Sequence, residues 1–387
     1  MYKIKTFNNI SDKGLSRLPS SDYDVDPDHD SPDAIILRSY KLHDYPIPDS
    51  LLAVGRAGAG TNNVPVVKMS EHGIPVFNAP GANANAVKEL VIAGMLLACR
   101  NICQAWDYAR NVEGTPEQQN KAVEDGKKKY VGYELPGRTL GVVGLGAIGV
   151  YVANAAVSLG MRVVGFDPTI TVKSAWKMSS EVQEMPSIDE LVKQSDFVTF
   201  HVPLLESTKN LLNEQRIARM KKGAVVLNFA REGIVDDEAV LEALDNGRLG
   251  AYVCDFPAEN LKGHDKVITL PHLGASTVEA EENCAIMVAD QLKDFLENGN
   301  IHNSVNFPEI RLARIGDVRL AIANQNRPDM VGQISHVLGQ SGVNIQHMSN
   351  ESRGDLAYTL MDLDKAIDQG ALSAIKAIDG VLSARQI

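Results

Sequence analysis

The sequence predicts an α/β protein with two doubly wound parallel-sheet lobes and a small α+β domain after them. The first observation is length, because 387 residues are too many for one ordinary core. The second is that short β-branched runs alternate with helical segments in two separate stretches, which indicates parallel sheets covered by helices. The third is a final strand, helix, strand, strand, helix, strand order, typical of a ferredoxin-like α+β fold.

The first stretch predicts a small, incomplete α/β unit. Three short apolar runs are predicted as strands, at Ala34–Leu37, Leu52–Val54 and Pro75–Phe77, and each is followed by a loop with Gly, Asn, Ser or Pro. From Ala84 to Ile102 the sequence is long and largely apolar, which predicts one buried helix that crosses to the next lobe.

The second stretch predicts the six strands that a doubly wound dinucleotide fold requires. They are Thr139–Val143, Arg162–Phe166, Phe197–His201, Ala224–Asn228, Ala251–Cys254 and Val267–Thr269. A long helix is predicted over Thr277–Glu297, and a linker near Ser304–Pro308. The ferredoxin-like elements that follow are predicted as strands at Leu320–Ala323, Asn344–Asn350, Leu356–Asp362 and Val381–Gln386, and helices at Met330–Ser341 and Lys365–Ala377.

Composition argues against several classes of function. The 38 Lys and Arg residues against 49 Asp and Glu residues give a net charge of 38 − 49 = −11, which is unfavourable for binding nucleic acid or an anionic membrane. The four cysteines lack metal-binding and disulfide-framework spacings, so we expect reduced thiols and no metal site. No signal peptide or membrane-length apolar run is evident, so a cytoplasmic location is expected.

A glycine-rich segment predicts a dinucleotide site. Gly144, Gly146 and Gly149, with Ala147 and Ile148 between the last two, follow a predicted strand and open a predicted helix. Such glycines let the pyrophosphate approach the free N–H groups at the helix N-terminus. Asp167 ends the next strand, where a carboxylate accepts hydrogen bonds from ribose hydroxyls and repels a 2′-phosphate, so NAD is favoured over NADP.

Three polar residues lie just beyond the last three predicted strands of the second stretch, and their side chains are of the types that catalyse alcohol oxidation. Removal of hydride from a secondary alcohol requires a base for the hydroxyl proton and a cation for a neighbouring carboxylate. His272 fits the base, Arg231 can offer two parallel hydrogen bonds to a carboxylate, and Glu259 can hold one tautomer of the imidazole. Each of the three, taken alone, is about as often an ordinary surface or hydrogen-bonded polar residue.

Four segments together resemble the D-2-hydroxyacid dehydrogenase family. They are Gly144–Gly149, His201–Leu204 with Thr208, Asn228–Asp236 and Pro271–Thr277. The resemblance implies a flavodoxin-like substrate lobe, a Rossmann cofactor lobe, and Arg231, Glu259 and His272 as the catalytic set, with His272 as acid and base. It also implies NAD contacts from His201, Pro203, Thr208, Ala230, Arg231, Asp255, His272 and Gly274.

The resemblance also suggests where substrate binds. Arg56–Val64 and Asn78–Asn83 look like the family's two substrate loops, and Gly-rich turns can hold an anion through backbone N–H groups. The implied substrate contacts are Arg38, Arg56, Ala57, Gly58, Ala59, Gly60, Asn83, Lys127, Arg231 and His272. Within the family, the likeness is to members that oxidise D-3-phosphoglycerate; for Lys127, an ordinary solvated face is at least as good an interpretation.

The C-terminal segment resembles the ACT regulatory domain of these members. Asn324, Asn326 and Asn344 match the polar contacts that bind an L-serine effector between subunits, although Asn324 replaces a usual His and Asp329 a usual Gly. Two further departures are Glu232, where Gly is usual, and an Asp255–Glu259 loop that is one residue shorter than usual.

The predicted domains are a substrate lobe of residues 1–88 and 285–310, an NAD lobe of residues 89–284, and an ACT domain of residues 317–387. The long helices and the ACT-like domain suggest a homodimer or homotetramer. Two alternatives stay open: a glyoxylate or hydroxypyruvate reductase of the same family, and a non-enzymatic NAD-sensing protein built on the same fold.

Overall fold

A computed structural model describes all 387 residues and shows an α/β protein with three sheets. The chain forms two compact units. The first unit is Met1–Asn83 with Val278–Ile387, and the second unit is Ala84–Thr277. No helix is both long enough and apolar enough to cross a membrane.

The N-terminal part of the first unit is a five-stranded parallel sheet in the order β2-β1-β3-β4-β5, the flavodoxin-like order. Its elements are β1 (Tyr2–Thr6), α1 (Asp12–Leu15), β2 (Tyr23–Val25), β3 (Ala34–Leu37), β4 (Ala53–Arg56), α2 (Val66–Glu71) and β5 (Val76–Asn78). The predicted unit lacked β1 and β2. Both are short, and β1 buries only Ile4, so their apolar signal is weak.

The second unit is built on a seven-stranded parallel sheet in the order β12-β11-β10-β9-β6-β7-β8. The helices are α3 (Ala84–Cys99), α4 (Ile102–Arg110), α5 (Pro116–Gly126), α6 (Ala147–Ser158), α7 (Val172–Ala175), α8 (Ile188–Gln194), α9 (Glu214–Ile217) and α10 (Asp237–Asp245). The strands are β6 (Thr139–Val143), β7 (Arg162–Phe166), β8 (Gln183–Glu184), β9 (Phe197–Phe200), β10 (Ala224–Asn228), β11 (Leu249–Cys254) and β12 (Val267–Thr269).

Two predictions about the second unit need correction. The helix predicted from Ala84 to Ile102 ends at Cys99 and a second helix begins at Ile102, because Asn101 adopts a left-handed backbone conformation with φ of 49° that interrupts the helical hydrogen bonds. The sheet has a seventh strand, β8, which the sequence did not suggest because its two residues are polar and exposed. Short 3-10 helices also occur at Lys127–Tyr130 and Glu259–Leu261.

The C-terminal part of the first unit is a four-stranded antiparallel sheet in the order β14-β15-β13-β16, as in ferredoxin-like folds. Its elements follow one long helix: α11 (Val278–Asn298), β13 (Val318–Gln325), α12 (Met330–Gln340), β14 (Ile345–Arg353), β15 (Leu356–Leu363), α13 (Gln369–Lys376) and β16 (Val381–Gln386). The helix predicted from Lys365 begins at Gln369, because the Asp368 side chain caps it by accepting from the Ala371 N–H.

Helix α11 joins the two sheets of the first unit. It packs closely on β4, where a Cβ atom at Gly55 would lie 2.4 Å from Val288 Cγ1. At its other end, the Arg385 guanidinium donates to the carbonyls of Phe295 and Leu296 in the last turn of the helix. The ferredoxin-like part is therefore held directly against the helix that covers the first sheet.

A buried ion pair strengthens this junction. Arg319 donates through Nε and one terminal nitrogen to Asp362, at 2.6 and 3.0 Å, and both side chains are fully buried. The same guanidinium donates to the carbonyls of Asn298 and Leu312. Burial by itself raises the pKa of the Asp362 carboxyl, but hydrogen bonds from Arg319 and from the Ile315 N–H outweigh it and lower that pKa below its ordinary value.

We predict that Arg319→Met destabilises the protein by about 3–5 kcal/mol, because it leaves the Asp362 carboxylate buried without a counter-ion. Urea unfolding followed by circular dichroism measures the change. The double variant Arg319→Met with Asp362→Leu should recover part of the loss, since it removes the unpaired charge. The matched control is Arg17→Met, whose partner Asp290 lies on the surface, and no measurable change is expected there. Equal stabilities of Arg319→Met and the parent would contradict this account.

Candidate active site

The second unit brings six chemically distinctive residues to one edge of its sheet. Each follows a strand, and because these strands are all parallel their carboxyl ends meet at the same edge, called here the carboxyl edge. In the order of the strands across the sheet they are Asp167, Gly144, His201, Arg231, Asp255 and His272.

The glycines of the turn after β6 let backbone segments pack closely where a side chain would not fit. A Cβ atom at Gly144, where φ is 91°, would lie 2.6 Å from the His201 carbonyl oxygen, and one at Gly149 would lie 1.9 Å from the Gly144 carbonyl oxygen. At Gly146 a Cβ would meet nothing within 4 Å, so this glycine borders open space. No side chain caps α6, whose first residues are Ala147 and Ile148, so the helix offers N–H donors to an anion such as a pyrophosphate.

Asp167 is held in place at the end of β7. One carboxylate oxygen accepts from the Leu145 N–H at 2.8 Å, and the other accepts from the N–H and hydroxyl of Thr169. The carboxylate is thereby tied to the glycine turn. Its remaining lone pairs are the natural acceptors for ribose hydroxyls.

His201 carries a neutral imidazole beside the same turn. Its Nε2 lies 3.0 Å from the Thr199 hydroxyl, while its Nδ1 is buried and has no hydrogen-bond partner. Desolvation lowers the pKa of His201 to about 3. In the following loop, the Thr208 hydroxyl donates to the Pro203 carbonyl at 2.6 Å and accepts from the Leu205 N–H at 2.7 Å, which shapes the loop.

Asn228 organises the loop that carries Arg231, and the sequence analysis did not single it out for this role. This residue is buried at the end of β10; its Oδ1 accepts from the Ala230 N–H and its Nδ2 donates to the Arg231 carbonyl at 2.9 Å. The Arg231 side chain is exposed and donates to the Ala230 carbonyl. The sequence signal for Asn228 was that a polar residue ends the predicted strand Ala224–Asn228.

Asp255 holds the loop that carries His272. It is 1% exposed, and its two carboxylate oxygens accept from the N–H groups of Leu273 and Gly274, each at 2.7 Å. Its own N–H donates to the Asn228 carbonyl, which links the two loops. His272 has a φ of 57°, which is unusual for a residue other than glycine. Its exposed ring packs edge-on against the ring of Phe256, with the two ring centroids 5.1 Å apart.

The structure does not pair Glu259 with His272. The Glu259 side chain is 88% exposed and forms an ion pair at 2.5 Å with Lys262, the residue that follows the 3-10 helix Glu259–Leu261. No ion pair joins Glu259 to any histidine. Because the Asp255–Glu259 loop is one residue shorter than the resemblance leads one to expect, Glu259 follows Asp255 after only three intervening residues.

The predicted substrate loops lie in the first unit. Arg38 forms an ion pair with Glu281 of α11 at 2.6 Å, and its carbonyl accepts from Arg56 Nε at 3.0 Å. The Arg56 guanidinium covers Gly58, which Ala57, Ala59 and Gly60 flank; a Cβ atom at Gly58 would lie 1.7 Å from Arg56 Nη1 and would displace the guanidinium. The Asn83 Oδ1 atom is buried and has no hydrogen-bond partner. Lys127 belongs to the second unit and is exposed beside Glu124.

The three predicted effector residues are not brought together within one chain. Asn326 follows β13, whereas Asn344 precedes β14, and the strand register puts them at opposite ends of the sheet, roughly 25 Å apart. Asn324 is buried in β13; its Nδ2 donates to the Gln325 carbonyl and its Oδ1 has no partner. The Asn326 Nδ2 donates to the Gly354 carbonyl.

Comparison with known sequences identifies similar enzymes. Residues 92–274 match the family model described as D-isomer specific 2-hydroxyacid dehydrogenase, NAD binding domain. The D-3-phosphoglycerate dehydrogenase of Haemophilus influenzae is 35% identical over 347 residues, which cover 87% of this chain and 81% of that protein. The D-3-phosphoglycerate dehydrogenase of Methanocaldococcus jannaschii is 38% identical over 336 residues, 84% of this chain and 60% of that longer protein.

Solved structures agree on the fold. The NAD+-bound 3-phosphoglycerate dehydrogenase of Entamoeba histolytica is 25% identical, with a TM-score of 0.60 over 79% of this chain and 98% of that one. The apo D-mandelate dehydrogenase of Rhodotorula graminis is 23% identical, with a TM-score of 0.67 over 79% of this chain and 97% of that one. Both likenesses concern the fold, and NAD as the cofactor follows from the match to the NAD binding domain and from the NAD+-bound relative.

We predict that Asp255→Ala loosens the loop around His272, because two backbone N–H groups lose a charged acceptor that no other group replaces. Such bonds contribute about 1.5–3 kcal/mol each, so amide exchange at Leu273 and Gly274 should be at least roughly tenfold faster. Hydrogen exchange with mass spectrometry of peptides covering residues 270–276 measures it. Asp255→Asn keeps one acceptor oxygen and should give an intermediate rate; unchanged exchange in Asp255→Ala would refute the role.

Proposed function

The chain belongs to the D-isomer specific 2-hydroxyacid dehydrogenase family and uses NAD, and from this premise we propose that it oxidises D-3-phosphoglycerate to 3-phosphohydroxypyruvate, the first step of serine biosynthesis. The identity of about 35% to D-3-phosphoglycerate dehydrogenases over most of the chain supports this substrate. The observation that carries the chemistry is the pair of anchored loops that present Arg231 and His272 at neighbouring parts of the carboxyl edge.

The proposed mechanism uses the residues of this edge. Arg231 binds the substrate carboxylate through two parallel hydrogen bonds, which orients the neighbouring hydroxyl-bearing carbon. A ring nitrogen of His272 accepts the hydroxyl proton as the carbon–oxygen double bond forms. Bound NAD supplies the hydride acceptor; Gly144, Gly146 and Gly149 with the start of α6 would hold its pyrophosphate, and Asp167 its ribose. In the reverse reaction His272 returns the proton.

Neutral His201 and the Thr208-stabilised loop would border the cofactor. A neutral imidazole places no second positive charge beside the nicotinamide, which itself is cationic in its oxidised form. The predicted contacts of Ala230, Asp255 and Gly274 with the nicotinamide side are part of the same proposal, and Asp255 retains lone pairs for such a contact after binding two amides.

Glu259 is proposed as the carboxylate that stabilises the protonated form of His272. It would first have to leave Lys262, and two features support that exchange. The Glu259–Lys262 pair is exposed at 88% and 64% of the side chains, and exposed pairs contribute little to stability. The residue also sits on a short 3-10 helix rather than in a sheet or a long helix.

The remaining contacts and partners are proposals on weaker support. Arg38, Arg56 and Lys127 would bind the substrate phosphate; Arg38 must then share its charge between the phosphate and Glu281. A homodimer or homotetramer and an L-serine effector are proposed from the resemblance, and the separation of Asn326 from Asn344 within one chain is compatible with a site that two subunits share.

Substrate identity is tested by steady-state kinetics with NAD. We expect kcat/KM for D-3-phosphoglycerate to exceed that for D-glycerate and D-lactate by at least about tenfold, because the phosphate adds charge-assisted hydrogen bonds. Assays in the reductive direction should include glyoxylate and hydroxypyruvate. His272→Asn should lower kcat by about 100-fold or more without weakening NADH binding. A preference for glyoxylate, or full activity in His272→Asn, would overturn the proposal.

The role of Glu259 is tested with its ion-pair partner as the matched control. If Glu259 supports His272 during turnover, Glu259→Gln should lower kcat about tenfold or more, whereas Lys262→Met should leave kcat unchanged because it releases the carboxylate. If the two residues act only as a surface pair, both variants will behave alike, and the assignment of Glu259 fails.

A further inference from the structure

A buried tyrosine lies next to the base of the loop that carries Arg231. Tyr252 belongs to β11 and is 1% exposed. Its partner in β10 is Val226, two residues before Asn228. Because alternate residues of a strand point to the same face, the Tyr252 and Asn228 side chains are diagonal neighbours on one face of the sheet. The tyrosine is therefore a neighbour of the residue that organises the Arg231 loop.

The Tyr252 hydroxyl donates to a carboxylate at the start of α10. The acceptor is Asp237 Oδ1, 3.3 Å away, and Asp237 is the first residue of that helix. Burial raises the pKa of the Asp237 carboxyl, whereas the hydrogen bond from Tyr252 lowers it, so this bond stabilises the charged form. Burial also raises the pKa of Tyr252 well above its ordinary value, so the phenol stays protonated and remains a donor.

The same tyrosine oxygen interacts with the Asn228 amide. Asn228 Nδ2 carries two hydrogens, one of which binds the Arg231 carbonyl at 2.9 Å. Against the effect of burial, hydrogen bonding with Asn228 lowers the pKa of Tyr252, which is the effect of a donor to the tyrosine oxygen. Tyr252 thus contacts both the residue before the loop Phe229–Asp236 and the residue after it.

The remaining hydrogen bonds of this loop leave its exposed tip dependent on its two ends. The second half is held by its backbone, since the Gly233 carbonyl accepts from the Asn210 N–H at 2.8 Å and the Ile234 carbonyl accepts from the Leu212 N–H at 3.2 Å. The first half is held through the side chain before it. Arg231, between the two halves, is exposed. The place of its guanidinium therefore depends on how the ends of the loop are fixed.

We propose that Tyr252 is a positioning residue for the substrate carboxylate. Its hydroxyl joins Asp237 to Asn228 across the base of the loop Phe229–Asp236 and so fixes where Arg231 meets that carboxylate. The inference rests on the proposed role of Arg231 and extends it to a residue that does not touch substrate. When the loop is not held, a smaller fraction of molecules presents Arg231 correctly, and the apparent affinity for substrate falls with that fraction. Bound substrate restores the held loop, so kcat at saturation changes little.

The test compares two Tyr-to-Phe variants of the full-length protein, assayed with the 2-hydroxy acid that it oxidises best. Tyr252→Phe should raise KM about tenfold and change kcat by less than about twofold, because it removes a hydrogen bond to a charged group. The matched control is Tyr23→Phe. The buried Tyr23 hydroxyl donates to Glu297 at 2.7 Å in the first unit, so its loss is chemically alike and should leave KM unchanged.

The carboxylate partner gives a second set of variants. Asp237→Asn keeps an acceptor oxygen and should raise KM less than Asp237→Ala does. Adding Tyr252→Phe to Asp237→Ala should raise KM little further, because the two changes remove the same contact. Circular dichroism and urea midpoints show whether each variant is folded. Fully additive effects on KM would contradict a shared contact.

Hydrogen exchange with mass spectrometry of peptides covering residues 229–236 gives a readout that needs no turnover. Exchange should be faster in Tyr252→Phe and parent-like in Tyr23→Phe. A parent-like KM in Tyr252→Phe, or a fall in kcat alone, would reject the role of Tyr252. Arg231→Met tests the premise separately: if KM stays unchanged in that variant, the proposed role of Arg231 fails, and the inference about Tyr252 fails with it.

Discussion

The candidate site depends on the hydrogen bonds that the Asp255 carboxylate accepts from the N–H groups of Leu273 and Gly274. Withdrawn from solvent, this carboxylate binds two successive amides directly after His272, and this compensates for the unfavourable left-handed backbone at that histidine. The Asp255 N–H donates to the Asn228 carbonyl, and the Asn228 side chain in turn donates to the Arg231 carbonyl. The loops that carry Arg231 and His272 follow different strands but share one buried hydrogen-bond network. A change in the conformation of either loop is therefore expected to alter the other.

Helix α11 has a comparable role in the first unit. Near its start Glu281 binds Arg38, a predicted phosphate ligand, and at its end the carbonyl groups are bound by Arg385 and Arg319 of the ferredoxin-like part. A helix of 21 residues is a stiff element of about 30 Å, so a displacement at one end is transmitted to the other. The ferredoxin-like part is thus in direct contact with the helix that binds Arg38, and not only tethered through a linker.

Local signals were read correctly where the physics is local. Gly144 is required by its own left-handed backbone and Gly149 by its contact with the Gly144 carbonyl, so their spacing predicted the turn, and Asp167 binds the same segment. The break at Asn101 and the two-residue strand β8 escaped prediction, because a left-handed asparagine and a short polar edge strand leave no apolar pattern. Glu259 shows the same limit: residue type and order matched expectation, but its partner in the structure is Lys262.

By itself the sequence determined the α/β class, the dinucleotide turn, the enzyme family and the residue types available for hydride transfer, since these depend on periodicity and on short-range spacing. Tertiary structure decided which polar groups meet. Asn228 and Asp255 are 27 positions apart and are joined only because β10 and β11 are neighbours in the sheet. Arg319 and Asp362 pair across β13 and β15 for the same reason, since strand pairing brings together residues whose separation in sequence carries no signal of contact.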